Sequence, residues 1–191
     1  MKRLIAILLL AVLAFSLVSC AADDDTPEGM QNVSTEDAMF NLYVPASWVP
    51  QTVSGIPGAC VSSADGSNVF AYATMLDDVI EDTADATAAE RYWNEVCKPL
   101  FTTDLKDFSE LSAEGLTTVT STDPVTLGGK NATKVFISFT SGGVTMKGMM
   151  VVAVLDGTKA YHFCYFAKAE KFADYLSQVE SDILPVFTFR A

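Results

Sequence analysis

Residues 132–166 read ATKVFISFTSGGVTMKGMMVVAVLDGTKAYHFCYF, and this stretch predicts three successive antiparallel strands. The dipeptides Gly142-Gly143 and Asp156-Gly157 separate the strands, and both suit tight turns that need a positive φ. Two-residue loops at both turns predict these cross-strand pairs: Phe139 with Met146, Ile137 with Gly148, Met150 with Phe163, and Val152 with Tyr161.

Both faces of this predicted meander are largely apolar. One face carries Val135, Ile137, Phe139, Met146, Met150, Val152, Tyr161, Phe163 and Tyr165, and the other carries Phe136, Met149, Val151, Ala153, His162 and Cys164. Gly148, predicted between Ile137 and Tyr165, leaves room for large neighbours. A sheet that is apolar on both sides cannot leave either side in water, so we expect helices to cover both.

Two helices are predicted to provide this cover. Thr87–Glu90 has the spacing of a capping box, and Pro99 ends or kinks the helix that follows. Its apolar face consists of Ala89, Trp93, Val96, Cys97 and Leu100. The second helix runs from Ala169 to Leu184 and is stopped by Pro185. Its apolar face consists of Phe172, Tyr175, Leu176, Val179 and Ile183.

Shorter strands complete the predicted sheet. Alternating residues predict a strand over Phe40–Val44 that ends at Pro45, and a short strand over Thr117–Thr122. A hairpin is predicted from Ala59–Ser62 and Asn68–Thr74, and Phe187–Phe189 is a candidate edge strand. The predicted class is α+β: a three-layer α/β/α sandwich with a central, mostly antiparallel sheet.

FNLYVPASW at residues 40–48 and several other short motifs resemble the PsbP and Mog1-like families. Residues 40–48, FNLYVPASW, are similar to their opening strand, which runs into Pro-x-x-Trp, and residues 127–132, LGGKNA, are similar to the turn before their long strand. Ala160-Tyr161 with Phe172, Tyr175, Ile183 and Phe187 resemble the closing strand and helix. The resemblance implies an antiparallel sheet between helices and a binding or assembly module rather than an enzyme. No partner-binding residue carries over from these families.

The first 19 residues have the composition of an export signal. Lys2 and Arg3 precede an apolar run from Leu4 to Phe15, and small residues follow. The apolar stretch ends near Val18, which is short of the roughly 20 residues that a membrane-spanning helix needs. We therefore expect a cleaved signal rather than an uncleaved membrane helix.

Leu17-Val18-Ser19-Cys20 resembles the bacterial lipobox. The resemblance implies that the Cys20 thiol receives a diacylglyceryl group and that cleavage makes Cys20 the new N-terminus. An ordinary signal cut near Ala21 or Ala22 is the alternative. Because two acyl chains anchor a protein stably, lipidation predicts an extracytoplasmic protein held on the bacterial cell membrane.

The predicted organisation has three parts: a lipoprotein signal peptide at 1–19, an acidic flexible tether at 20–36, and a single PsbP/Mog1-like domain at 37–191. Loss of Lys2 and Arg3 with the signal changes the formal net charge from −12 to −14. Such acidity argues against nucleic acid as a partner, since its phosphates require clustered Lys and Arg. It also argues against electrostatic attachment to anionic lipid, so the membrane contact is expected through lipidated Cys20.

Few residues are candidates for catalysis or for disulfide bonds. His162 is the only histidine, so any Ser-His-Asp or Cys-His site would have to use it, but its place in an apolar strand favours a core histidine. Cys60, Cys97 and Cys164 remain after Cys20, which leaves a Cys60–Cys97 disulfide open and at least one thiol unbridged within the chain. We expect no catalytic residues and no cofactor.

Three further features have an ordinary structural interpretation. The acidic run, which consists of Asp77, Asp78, Glu81, Asp82 and Asp85, does not match a calcium loop and is predicted to be a solvated loop without metal. Gly128-Gly129-Lys130 lacks the spacing of a phosphate-binding loop and is predicted to be a turn. A ligand groove lined by Trp48, Met146, Met149 and Met150 is an alternative to their packing in the core.

The sequence favours a non-catalytic binding or assembly lipoprotein whose partner is another envelope protein. The alternative is a lipoprotein that binds a small molecule or an ion, for which a cleft with converging polar groups would be required. A hydrolase ranks third.

Overall fold

The computed structural model describes residues 26–51, 58–62, 67–75, 88–99, 114–141, 143–155 and 158–190. Its strands are β1 Met30–Asn32, β2 Phe40–Asn41, β3 Tyr43–Pro45, β4 Val49–Pro50, β5 Gly58–Ser62, β6 Asn68–Met75, β7 Glu114–Thr120, β8 Val125–Leu127, β9 Lys130–Ser141, β10 Val144–Leu155, β11 Lys159–Lys168 and β12 Thr188–Phe189. Helix α1 (Ala88–Tyr92) continues as a π-helical turn, Trp93–Cys97. Helix α2 (Phe172–Gln178) continues as a π-helical turn, Val179–Ile183, and a 3₁₀ turn, Leu184–Val186.

One curled antiparallel sheet dominates the fold. Its strand order is β4-β5-β6-β11-β10-β9-β7, and β8 pairs with the start of β9. Two small ladders lie outside this sheet and join β1 to β3 and β2 to β12. The α+β class, the antiparallel sheet and the β5–β6 hairpin are as the sequence predicted. The strands predicted at Phe40–Val44 and Phe187–Phe189 do not join this sheet, because β2, β3 and β12 form the two small ladders instead.

The predicted register is right for β9 and β10 and wrong for β11. Ile137 pairs with Gly148, as two-residue loops require. In the second hairpin, however, Leu155 pairs with Lys159, so three residues lie between the paired ends. Met150 therefore pairs with Cys164 instead of Phe163. The one-residue slip moves every β11 side chain to the opposite face of the sheet.

The corrected register divides the core into two clusters on opposite faces. Tyr161, Phe163 and Tyr165 belong with Met149 and Val151 in the larger cluster, which α2 and its continuation cover. His162, one residue along from Tyr161, faces the smaller cluster. Helix α1 and its π-helical continuation cover this cluster with the buried side chains Ala88, Tyr92, Trp93 and Cys97. The predicted helical faces are largely confirmed, while Thr87 and Leu100 lie outside the described residues.

Gly148 makes room for a different neighbour from the one predicted. It pairs with Phe166 rather than Tyr165. A Cβ atom at Gly148 would lie 2.6 Å from Cδ1 of the Phe166 ring, closer than non-bonded carbon atoms approach. The absence of a side chain at residue 148 therefore allows the Phe166 ring to lie across β10.

The N-terminal boundary of the folded part also differs from the prediction. Residues 20–36 were predicted to be tether, yet Met30–Asn32 forms β1 and pairs with β3. The reason lies in polar side chains that bond to the domain: Gln31 Nε2 donates to the Trp48 carbonyl at 2.6 Å, and Asn32 Nδ2 donates to Asn41 Oδ1 at 3.0 Å. The folded part thus begins before residue 37.

The C-terminus is tied to the same region of the chain. The Arg190 guanidinium donates hydrogen bonds to the carbonyl oxygens of Thr35, Glu36 and Ala38 and to Asn41 Oδ1. Charge-assisted hydrogen bonds of this kind are among the stronger ones in proteins. Arg190 therefore fixes the loop that follows β1. Among the described residues, no helix combines the length and the apolarity needed to cross a bilayer.

Candidate functional site

The side chains best suited to catalysis or ligand binding form a buried group between α1 and the sheet. We call this group the Tyr92–His162 cluster, and its members are Tyr92, Cys97, His162 and Cys164. The Tyr92 hydroxyl and His162 Nε2 share a hydrogen bond of 3.2 Å, and the two rings meet edge to face with centroids 5.5 Å apart. The Cys97 thiol is hydrogen-bonded to Tyr92 as well. One phenol hydroxyl thus links α1 to β11.

Burial keeps His162, Cys97 and Cys164 neutral. It lowers the pKa of His162 to about 4 because the imidazolium ion would lose its hydration. It raises the pKa of Cys97 to about 12, against a smaller lowering by the Tyr92 hydrogen bond. Burial, with a smaller contribution from Cys97, also raises the pKa of Cys164 well above its usual range. Both thiols remain protonated at neutral pH, and a thiol is a poor nucleophile.

The geometry identifies His162 as a core histidine, as the sequence favoured. Only 2% of its surface is exposed, so no substrate reaches the imidazole. A general base must come within hydrogen-bond reach of the proton that it abstracts. The cluster therefore joins a helix to a sheet rather than performing chemistry. The sequence analysis did not single out Tyr92, the hydrogen-bond partner of His162, although Tyr92 is next in sequence to Trp93 of the predicted apolar face.

The structure defines which disulfide bonds the cysteines can form. Cys97 and Cys164 are both free thiols, so the Cys60–Cys97 disulfide that the sequence left open is not formed. Cys60 pairs in register with Phe70, which in turn pairs with Cys164. Two interstrand spacings of about 4.8 Å exceed the Cα separation that a disulfide tolerates, which argues against a Cys60–Cys164 bond.

Trp48, Met149 and Met150 pack in the core, whereas Met146 is half-buried and belongs to neither core cluster. Trp48 is 4% exposed and meets the Tyr175 ring edge to face at 5.6 Å. Met149 and Met150 are buried on opposite faces of β10. The packing interpretation is confirmed for Trp48, Met149 and Met150, and because Met150 belongs to the cluster on the other face, the four residues do not line one groove.

Gly128 and Gly129 form a turn, as predicted, and Lys130 begins β9. Gly128 and Gly129 have φ values of +55° and +75°, which glycine adopts without strain. The position that a Cβ atom would occupy at Gly128 lies 2.6 Å from the Phe189 ring, so the turn packs closely against β12.

The predicted lipidation site Cys20 and the acidic run from Asp77 to Asp85, which is predicted to bind no metal, both lie outside the described residues. Where side chains are described, no group of three or more His, Cys, Asp or Glu residues is arranged to hold a metal ion.

Comparison with known proteins finds likeness in structure alone. No family model matches the chain, and no curated protein matches it. LpqN of Mycobacterium tuberculosis, a protein involved in cell envelope biogenesis, matches with a TM-score of 0.55 and 18% identity over 90% of this chain and 97% of LpqN. Cyanobacterial PsbP of Synechocystis matches with a TM-score of 0.58 and 13% identity over 91% of this chain and 99% of that protein.

The fold is PsbP-like. This was the fold that FNLYVPASW and the closing elements implied, and the match covers nearly all of both chains. The Ran-binding protein Mog1p of Saccharomyces cerevisiae shows a weaker likeness, with a TM-score of 0.48 and 10% identity over 84% of this chain and 95% of its own, on which nothing further rests. Identities this low establish the fold and leave activity and partners to be argued from the residues.

Proposed function

We propose that this protein is a lipid-anchored, extracytoplasmic lipoprotein whose PsbP-like domain is a non-catalytic binding or assembly module for another envelope protein. The observation that carries the proposal is Leu17-Val18-Ser19-Cys20, which lies directly behind an apolar export signal. A chain with a formal net charge of −14 after signal removal has little electrostatic attraction to anionic lipid, so a covalent anchor supplies the hold on the membrane.

Three further observations support the proposal. His162, the only histidine, is buried and neutral, which removes the commonest general base from reach of a substrate. Cys97 and Cys164 are protonated and buried, so neither provides a thiolate nucleophile. LpqN, which shares the fold, is involved in cell envelope biogenesis.

We also propose a finer description of the fold, a three-layer α/β/α sandwich. The two core clusters lie on opposite faces of the sheet, and each includes the apolar face of one helix. The alternative function, a lipoprotein that binds a small molecule or an ion, gains no support from Trp48, Met149 and Met150, which are buried in these clusters.

Lipidation is tested in the bacterium with a clickable fatty acid and with separation of membrane from soluble material. The native protein is expected to take up the label and to fractionate with the membrane. Cys20→Ala is expected to lose both properties, while Ser19→Ala, which keeps a small residue before the cysteine, retains them. Membrane association of Cys20→Ala, or a native protein that takes up no label, would refute the anchor.

A further inference from the structure

The outer edge of β7 is a free sheet edge in the part of the chain that the structure describes. β7 is the last strand in the order β4-β5-β6-β11-β10-β9-β7 and pairs on its inner side with β9. Val119 is 66% exposed, which is unusual for a large apolar side chain, and Thr117 and Thr120 are exposed too. Edge strands of this kind are templates for pairing with another chain.

The hydrogen bonds of β7 show which backbone groups face outward. The Ser121 amide donates to the Lys134 carbonyl at 2.8 Å, so residue 121 is bonded towards β9. Bonded and non-bonded positions alternate along an antiparallel strand, and Thr120 pairs with Val135. Thr118 and Thr120 therefore direct their amide and carbonyl groups away from β9, towards the free edge.

This edge carries little of the protection that proteins give to exposed strands. Lys side chains and proline are common protective devices, yet residues 115–122 contain no charged residue and no proline. A register shift between Glu114 and Thr117 bends the start of β7. The stretch from Thr117 onwards stays regular and suits pairing. At the opposite edge of the sheet, β4 contains Pro50, which has no amide to donate.

The predicted tether enters the domain far from β7 in the strand order of the sheet. The folded part begins beside β3, where the Ala46 amide donates to the Gly29 carbonyl, and β4 follows β3 directly. β4 and β7 are separated by six interstrand steps of about 4.8 Å each along the sheet. Pro27 lies seven residues after Cys20, a reach of about 25 Å at most. Lipidation at Cys20 would therefore attach the anchor beside β3, and β7 lies six strands along the sheet from β4.

We infer that the outer edge of β7 is the docking site for an extended segment of the partner envelope protein, which adds as a further strand through the backbone of Thr118 and Thr120. Main-chain hydrogen bonds provide the affinity in this mode of recognition, and side-chain contacts such as the one offered by Val119 provide selectivity. The inference rests on the proposed binding function and names its surface.

Charge selects the chemistry of the segment. The mature chain carries a formal net charge of −14, so a segment with lysine or arginine and without carboxylates is favoured. A second copy of this chain would bring the same negative charge, which opposes self-pairing at this edge.

The test uses the full-length lipoprotein in intact cells with a photo-crosslinking amino acid in place of Val119. Thr118→Pro removes an outward amide and leaves the bonds to β9 intact, while Thr118→Val keeps the amide and the shape of the side chain. We expect one envelope protein to be captured through an extended segment. Capture should fall about tenfold with Thr118→Pro and stay unchanged with Thr118→Val.

A second crosslinking position, Glu95 on the exposed side of the helical segment, separates two kinds of failure. Capture at Glu95 but not at residue 119 would contradict docking at the β7 edge and still support the proposed binding function. Capture at neither position would count against both proposals. Equal capture with Thr118→Pro, or capture of a second copy of this chain, would also overturn the inference. If Thr118→Pro does not fold, Thr120→Pro makes the same comparison at the end of β7.

Discussion

His162 makes the stability of the protein depend on pH. Its pKa is lowered to about 4 in the folded state by burial, whereas an imidazole in the unfolded chain has a pKa of about 6.5. Between these values the unfolded chain binds more protons, so stability that is fully present above about pH 6.5 is lost as the pH falls towards 4.

We predict that His162→Gln, which stays neutral, removes this dependence. Native protein should lose about 2 kcal/mol more unfolding free energy than the variant between about pH 7.5 and about pH 5. Urea denaturation at both pH values measures the difference. Parallel pH profiles for the two proteins would contradict the assignment of a neutral, buried imidazole.

The buried thiols should be unreactive for the same physical reason. Burial raises the pKa of Cys97 to about 12 and that of Cys164 well above its usual range, so the fraction of thiolate at neutral pH is very small. In a Cys20→Ala/Cys60→Ser variant, we predict no reaction of the folded protein with a disulfide reagent such as DTNB at about pH 8. Two thiols should react once urea unfolds it, and labelling of the folded protein within minutes would show that the thiols are accessible.

At the scale of elements, Gly148 decides how β10 and β11 lie against each other. An added Cβ would meet the Phe166 ring, so the ring or the strand has to move. We predict that Gly148→Ala lowers the unfolding free energy by about 1–3 kcal/mol, the usual cost of overpacking. Thermal and urea unfolding measure the loss.

A smaller residue opposite provides the control. Phe166→Leu in the Gly148→Ala background should recover part of the lost stability, because the obstructing ring is gone. Two neighbouring substitutions that share a steric cause are not additive. Simple addition of the two single losses would mean that Phe166 is not what limits residue 148.

At the scale of the whole molecule, the segment before residue 37 belongs to the domain. Removing it would break the β1–β3 ladder, the bond from Gln31 Nε2 to the Trp48 carbonyl and the bond from the Leu42 amide to Ser34 Oγ. We predict that a chain beginning at Asp37 is less stable than one beginning at Thr26 by about 3 kcal/mol. Comparison of urea midpoints is the measurement, and equal midpoints would return residues 26–36 to the tether.

Local sequence determined most of the elements of this protein. The alternation of apolar residues over residues 132–166 specified three strands, and the apolar spacing of 169–184 with Pro185 specified the last helix. The FNLYVPASW motif then indicated the PsbP-like fold. The predictions of an export signal and of lipidation at Cys20 likewise depend on short-range patterns, which need no folded context.

Only the tertiary structure decided which face of the sheet each β11 side chain occupies, because this depends on a shift of a single residue in register. A loop of three residues rather than two between β10 and β11 put Tyr161, Phe163 and Tyr165 against α2 and brought His162 to Tyr92. Because strand side chains alternate with a period of two, one extra loop residue reverses both faces, and β11 is apolar on both. The sequence alone determined which segments form the sheet; packing against the helices determined which way each β11 side chain faces, and it left β7 at the edge.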